Sequence, residues 1–169
     1  YAQPAVIDAA KGYAYFGTTN SSECAPSAVV TKIALGDGDA PPNPVAMVHL
    51  GLNETSATSA VIDLGSRHAW FGMDTSPGRI VKVALGRGGN PPSRVSALTL
   101  TSSENEPFAA VMDPTTGHAY WGSVGRVVKV SLNPNGTPPR RLGSLVIPEP
   151  MSNFTTAVID TTNGYAYFG

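Results

Sequence analysis

Apolar positions along this chain fall in short runs, broken every few residues by Gly, Pro, Asp, Asn, Ser or Thr. Such a pattern predicts strands joined by many turns rather than helices. Four runs align without a gap, at 5–17, 60–72, 110–122 and 157–169. Each opens on Ala-Val-Ile/Met-Asp, passes through a polar turn and closes on an aromatic segment such as Tyr13-Ala-Tyr-Phe-Gly17. In every full copy an apolar run around a lysine follows (Lys32, Lys82, Lys129), then a Pro-Pro pair and a last apolar run. The copy therefore reads as four strands: a (Ala-Val-Ile), b (the aromatic segment), c (around the lysine) and d (45–50, 95–100 and 142–147).

The spacing separates rigid from variable parts. Copies start 55, 50 and 47 residues apart, yet the lysine always precedes its Pro-Pro pair by nine residues, and the second proline precedes the next alanine by eighteen. From the closing glycine of strand b to the lysine the distance is fifteen, ten and seven residues, so the length changes sit in the b–c turn. A turn tolerates insertion because closing a longer loop adds only a logarithmic entropy term.

Four short strands in a unit of about fifty residues match the blade of a β-propeller, whose sheets pack face to face. Strand b fits this, since Tyr13 and Tyr15 share one face while Phe16 points to the other, as in a sheet covered on both sides. A flat β-solenoid or stacked sandwich domains are the alternatives, but solenoid coils are usually shorter and sandwiches rarely repeat with one varying turn. The expected fold is all-β, with β-propeller-like blades of four antiparallel strands and about three and a half blades: 1–59, 60–109, 110–156 and the start of a fourth at 157–169. Such an array does not close a ring, so it is expected to be a segment of a longer protein, its open edge met by further blades of the same chain or by neighbouring copies.

Composition narrows the partners. Eleven basic side chains against twelve acidic ones, with no basic run, give no reason to expect nucleic acid or an anionic membrane surface. No apolar stretch approaches the length of a membrane helix. The single cysteine, Cys24, excludes an internal disulfide and leaves an intermolecular one possible in a secreted protein.

The pattern Ala-Val-Ile-Asp, Gly-Tyr-Ala-Tyr-Phe-Gly and Val-Lys-Val resembles the tandem repeats of large extracellular proteins of oomycetes, algae and some bacteria, including mastigoneme-type flagellar-hair glycoproteins. The resemblance covers essentially the whole chain. It implies an extracellular, secreted or cell-surface structural protein of a filament, fibril or coat, and it brings no catalytic residue with it.

Four N-x-Ser/Thr sequons, at Asn20, Asn53, Asn135 and Asn153, all lie in connectors and are candidate sites for covalent N-glycans. A proline follows the Asn135 sequon, which disfavours its use. Asp8, Asp63, Asp113 and Asp160 recur at the end of strand a. A ring of carboxylates there could invite calcium, but Asp followed by a short polar stretch and a glycine is first of all a turn former. The lysine column reads as side chains whose stems lie on apolar neighbours with the charge in water, or as a basic track for an acidic polysaccharide. His68 and His118 stand in the column of Tyr13 and Tyr165 and read as packing residues. No serine-histidine-carboxylate set or phosphate-cradling glycine run stands out, so neither an enzyme nor a cofactor or metal site is expected. A carbohydrate-binding or adhesion module is the alternative to the structural reading.

Overall fold

The computed structural model describes residues 4–19, 27–133, 137–148 and 153–169. Asn20, Cys24 and Asn135 lie outside the described residues. Three four-stranded antiparallel sheets follow one another: β1 (Ala5–Asp8), β2 (Tyr13–Gly17), β3 (Val29–Ala34) and β4 (Asn43–His49); then β5 (Ala57–Asp63), β6 (His68–Met73), β7 (Arg79–Ala84) and β8 (Ser93–Thr99); then β9 (Ala109–Asp113), β10 (His118–Ser123), β11 (Arg126–Ser131) and β12 (Arg140–Val146). A two-stranded sheet, β13 (Ala157–Asp160) and β14 (Tyr165–Phe168), opens a fourth. Within each sheet the strands run in sequence order, so each strand pairs with its neighbour along the chain. Strands β1, β5, β9 and β13 lie next to one another while the outer strands splay apart, which is the fan of a propeller.

Alternation along strand b places successive aromatics on opposite faces of a blade. Phe71 joins Tyr15, Val6, Val30 and Leu50 in a core between the first and second blades. Its neighbour Trp70 joins Trp121, Val128 and Leu132 in the core between the second and third. Both faces of the middle blade are thus buried, and Tyr15, Trp70, Phe71 and Trp121 are fully buried. The glycine closing strand b lets the next blade approach: a Cβ on Gly17 would sit 2.7 Å from Ala57 Cβ, and one on Gly122 would sit 2.7 Å from Phe154 Cβ.

Strand d begins two residues earlier than the hydrophobic pattern suggests, at Asn43, Ser93 and Arg140. The cause is a bulge recurring in all three blades: Lys32 pairs with Ala46 but Ile33 with Pro44, Lys82 with Ser96 but Val83 with Arg94, and Lys129 with Gly143 but Val130 with Arg141. The extra residue (Val45, Val95, Leu142) interrupts the alternation, so the polar residues before it look like loop. Pro44 is tolerated because β4 is the outermost strand of its sheet.

Candidate functional site

The chemistry of this chain is concentrated where one blade meets the next, and it starts from the lysine column. Lys32 lies on β3, fully buried, and its Nζ donates to backbone carbonyls of the second blade's c–d turn: Gly88 at 2.6 Å and Asn90 at 3.2 Å, with Leu85 and Gly86 at 3.4 and 3.5 Å. Its ammonium also stands 4.2 Å from the centre of the Tyr13 ring. Lys82 repeats the arrangement one blade on, donating to Asn133 O at 2.8 Å and Thr137 O at 3.4 Å with its ammonium over Trp70. Burial lowers the pKa of both lysines, and for Lys32 the charge of Arg67 lowers it further while Asp8 opposes. These two ammonium groups are therefore neither in water nor available as a polysaccharide track. Only Lys129, half-buried over the Tyr120 ring, keeps an ammonium that hydrogen-bonds no described residue.

A second link runs from the d–a connectors. Glu54 and Glu104 are buried, and each folds back onto the N–H three residues before it, Gly51 at 2.6 Å and Thr101 at 3.1 Å. Each then receives an arginine from strand d of the following blade: Arg94 bridges both oxygens of Glu54 at 2.9 and 2.7 Å, and Arg141 grips Glu104 at 2.6 to 2.9 Å. Burial alone would raise the Glu104 carboxyl, but hydrogen bonds from Arg141 and the Thr101 N–H outweigh it and hold the pKa down to about 2. The bulge is what aims these arginines, since it reverses the facing of the strand just beyond them. Sequence reading passed over this pair. The signal was there, because both glutamates stand six residues before the alanine of the next strand a, and both arginines two residues after the second proline of Pro-Pro.

Tyr15 supplies a third link, donating from its hydroxyl to Leu85 O at 3.0 Å. Burial, then the nearby Asp8 carboxylate, push its pKa up to about 12, so it remains a donor at neutral pH.

The recurring aspartates are engaged in their own turns. Asp8 Oδ1 accepts from Lys11 N and Asp63 Oδ1 from Gly65 N, at 3.1 and 2.9 Å. Asp113 accepts from Thr115 N at 2.9 Å and from the hydroxyls of Thr115 and Thr116, and Asp160 from Thr162 N and Asn163 N at 3.1 and 3.0 Å. Among the described residues no group of three or more His, Cys, Asp or Glu side chains forms a metal-binding cluster. Among the same residues no helix is long and apolar enough to cross a membrane. Asn53, in the left-handed conformation at φ 66°, and Asn153 are both exposed on d–a connectors.

The outward faces of the array carry the same columns that are buried inside it. On the first blade Ile7, Phe16 and Met47 are exposed, Phe16 by 42%, whereas Phe71 in the same column of the second blade is fully covered. On the opposite side Leu145, Val158 and Tyr167 are exposed, Tyr167 by 57%, whereas Tyr15 and Trp70 in its column are fully buried. Thr31 departs from the pattern, being polar where Val81 and Val128 are apolar.

No protein-family model matches the chain, and neither does any curated protein sequence. Solved structures do resemble it. A candidate 6-phosphogluconolactonase of Bacteroides uniformis superposes with a TM-score of 0.73 at 11% identity, over 98% of this chain and 49% of the other. The periplasmic gluconolactonase of Pseudomonas aeruginosa gives 0.67 at 13% identity, over 97% and 41%. The outer coat vertex of COPII on membranes gives 0.60 at 11% identity, over 92% and 40%. Identities this low carry the fold alone. The fold is all-β, with four-stranded propeller-type blades, and the chain spans less than half the length of the structures it resembles.

Proposed function

We propose that this chain is a structural repeat module of an extracellular filament, fibril or coat, in which blade packs on blade and N-glycans at Asn53 and Asn153 cover surface not used for assembly. The observation that carries the reading is the match between outward and inward faces. Ile7, Phe16 and Met47 on one side, and Leu145, Val158 and Tyr167 on the other, occupy columns that the middle blade buries (Phe71, Val61, Trp70) or half-buries (Ile62, Ala97, Leu98). Exposed aromatic and aliphatic side chains grouped on a sheet face mark an interaction surface. The two faces differ, so contact between them is head-to-tail, and it propagates as a fibre wherever the rotation from copy to copy does not close a ring.

The buried polar groups fit a non-catalytic role. Lys32, Lys82, Glu54, Glu104 and the Tyr15 hydroxyl are all used in linking blades or capping connectors. Two of the propellers this chain resembles are named as lactonases, and a gluconolactone hydrolysis assay separates the two readings: a structural module leaves the spontaneous rate unchanged.

Sedimentation velocity over a range of concentrations tests assembly. The native chain is expected to form growing end-to-end species, and Phe16→Ser or Val158→Lys to remain monomeric with an unchanged circular dichroism spectrum. A native chain that stays monomeric throughout contradicts the proposal. Intact mass of the protein from its source, before and after glycan removal, tests occupancy of Asn53 and Asn153.

A further inference from the structure

Repeat columns show where this chain departs from its own pattern, and three departures converge on one place. Lys11 occupies a turn position held by Ser66, Thr116 and Asn163 in the other copies. Arg87 occupies the position of Asp37 and Pro134. Arg67 stands where the other three copies have a glycine with positive φ, Gly12, Gly117 and Gly164, at 70, 67 and 76°, and it adopts the same left-handed backbone at φ 59°. A non-glycine residue there is strained, and a strained residue retained against the repeat points to a task for its side chain.

Lys11, Arg67 and Arg87, with Tyr13 and Gly88, line a cleft of about 530 Å³ between the first and second blades. Arg67 Nη2 donates to Gly86 O at 2.7 Å, which fixes the guanidinium while using one of its five N–H groups. None of the three cations forms an ion pair with a carboxylate among the described residues. Burial first, and then the nearby charge of Arg67, lower the pKa of Lys32, with Asp8 opposing.

We infer that this cleft binds the oxyanion group of a small, sugar-sized organic anion. Arg67 and Arg87 offer planar donor pairs suited to a carboxylate, phosphate or sulfate, and Lys11 offers a point charge at the rim. The cleft volume admits a ligand of about one or two sugar rings. The inference is independent of blade-on-blade assembly, because the cleft lies between blades of a single chain.

The test is amide chemical-shift titration of the full chain at low ionic strength with inorganic phosphate, sulfate and glucuronate, with glucose as the neutral control. Saturable shifts confined to Gly12, Arg67, Gly86 and Gly88 are expected for the anions and none for glucose. Stronger response to phosphate and sulfate marks a phosphorylated or sulfated ligand, and stronger response to glucuronate a uronate. Arg87→Ala, in an exposed turn, is expected to weaken binding by about tenfold or more. Arg67→Gly is expected to abolish binding while leaving the melting temperature unchanged or higher, since glycine relieves the left-handed strain. Absence of saturable shifts, or equal affinity in the Arg67→Gly, Arg87→Ala double variant, overturns the inference.

Discussion

Lys32 Nζ, on the third strand of the first blade, donates to Gly88 O of the second blade at 2.6 Å, so a charge that alternation places on a sheet face is satisfied by the neighbouring sheet's backbone. Removing the ammonium leaves several carbonyls without their donor in a part-buried interface. Lys32→Met and Lys82→Met are therefore expected to cost about 1–3 kcal/mol each in urea denaturation. Lys129→Met, which loses only a contact with the Tyr120 ring, is expected to cost less than about 1 kcal/mol.

The Glu104–Arg141 pair makes the acid limb of stability predictable. The folded carboxyl, near 2, lies below the ordinary value of 4.5 that it regains on unfolding. Between those values the unfolded chain binds more protons, so the pair's contribution is full above 4.5 and is lost as pH falls toward 2. Denaturation midpoints of the native chain should fall across that window, and Glu104→Gln should flatten the fall.

Gly122→Ala pushes a methyl group against Phe154 and Phe168, with Cβ 2.7 Å from Phe154 Cβ. Overpacking of this kind costs about 1–3 kcal/mol. Gly89→Ala, with nothing within 4 Å of its new Cβ, serves as the neutral control in the same thermal melts.

Asp113→Ala removes the acceptor for Thr115 and Thr116 and should lower the melting temperature, with Asp113→Asn intermediate. Hydrogen bonds from those threonines hold the Asp113 carboxyl at about 2, so its contribution, present above the unfolded value, is lost as pH falls through that range. Added calcium should change neither variant nor native chain.

The blade was legible because a strand made to be covered on both faces leaves a direct trace: Tyr15-Phe16 puts adjacent aromatics on opposite faces, as Trp70-Phe71 does with a core on each side. Turn aspartates were legible for a similar reason, their bonds being local. The Glu54–Arg94 and Lys32–Gly88 links were not, because each joins residues of different copies, and reading down the columns of a repeat shows what recurs without showing what it reaches. Lysine was judged by its usual preference for water, which a ring of backbone carbonyls overrides. The cationic cleft was hidden because its three residues are unremarkable singly and meaningful only once Arg67 is seen in a glycine's conformation.

Four lysines make the blade-linking account directly measurable. In ¹⁵N spectra of the side-chain ammonium groups at neutral pH, Lys32 and Lys82 should give sharp, slowly exchanging signals, and Lys11 and Lys129 should exchange too fast to be seen. Four equally fast lysines would mean that successive sheets do not clasp one another through buried ammonium groups.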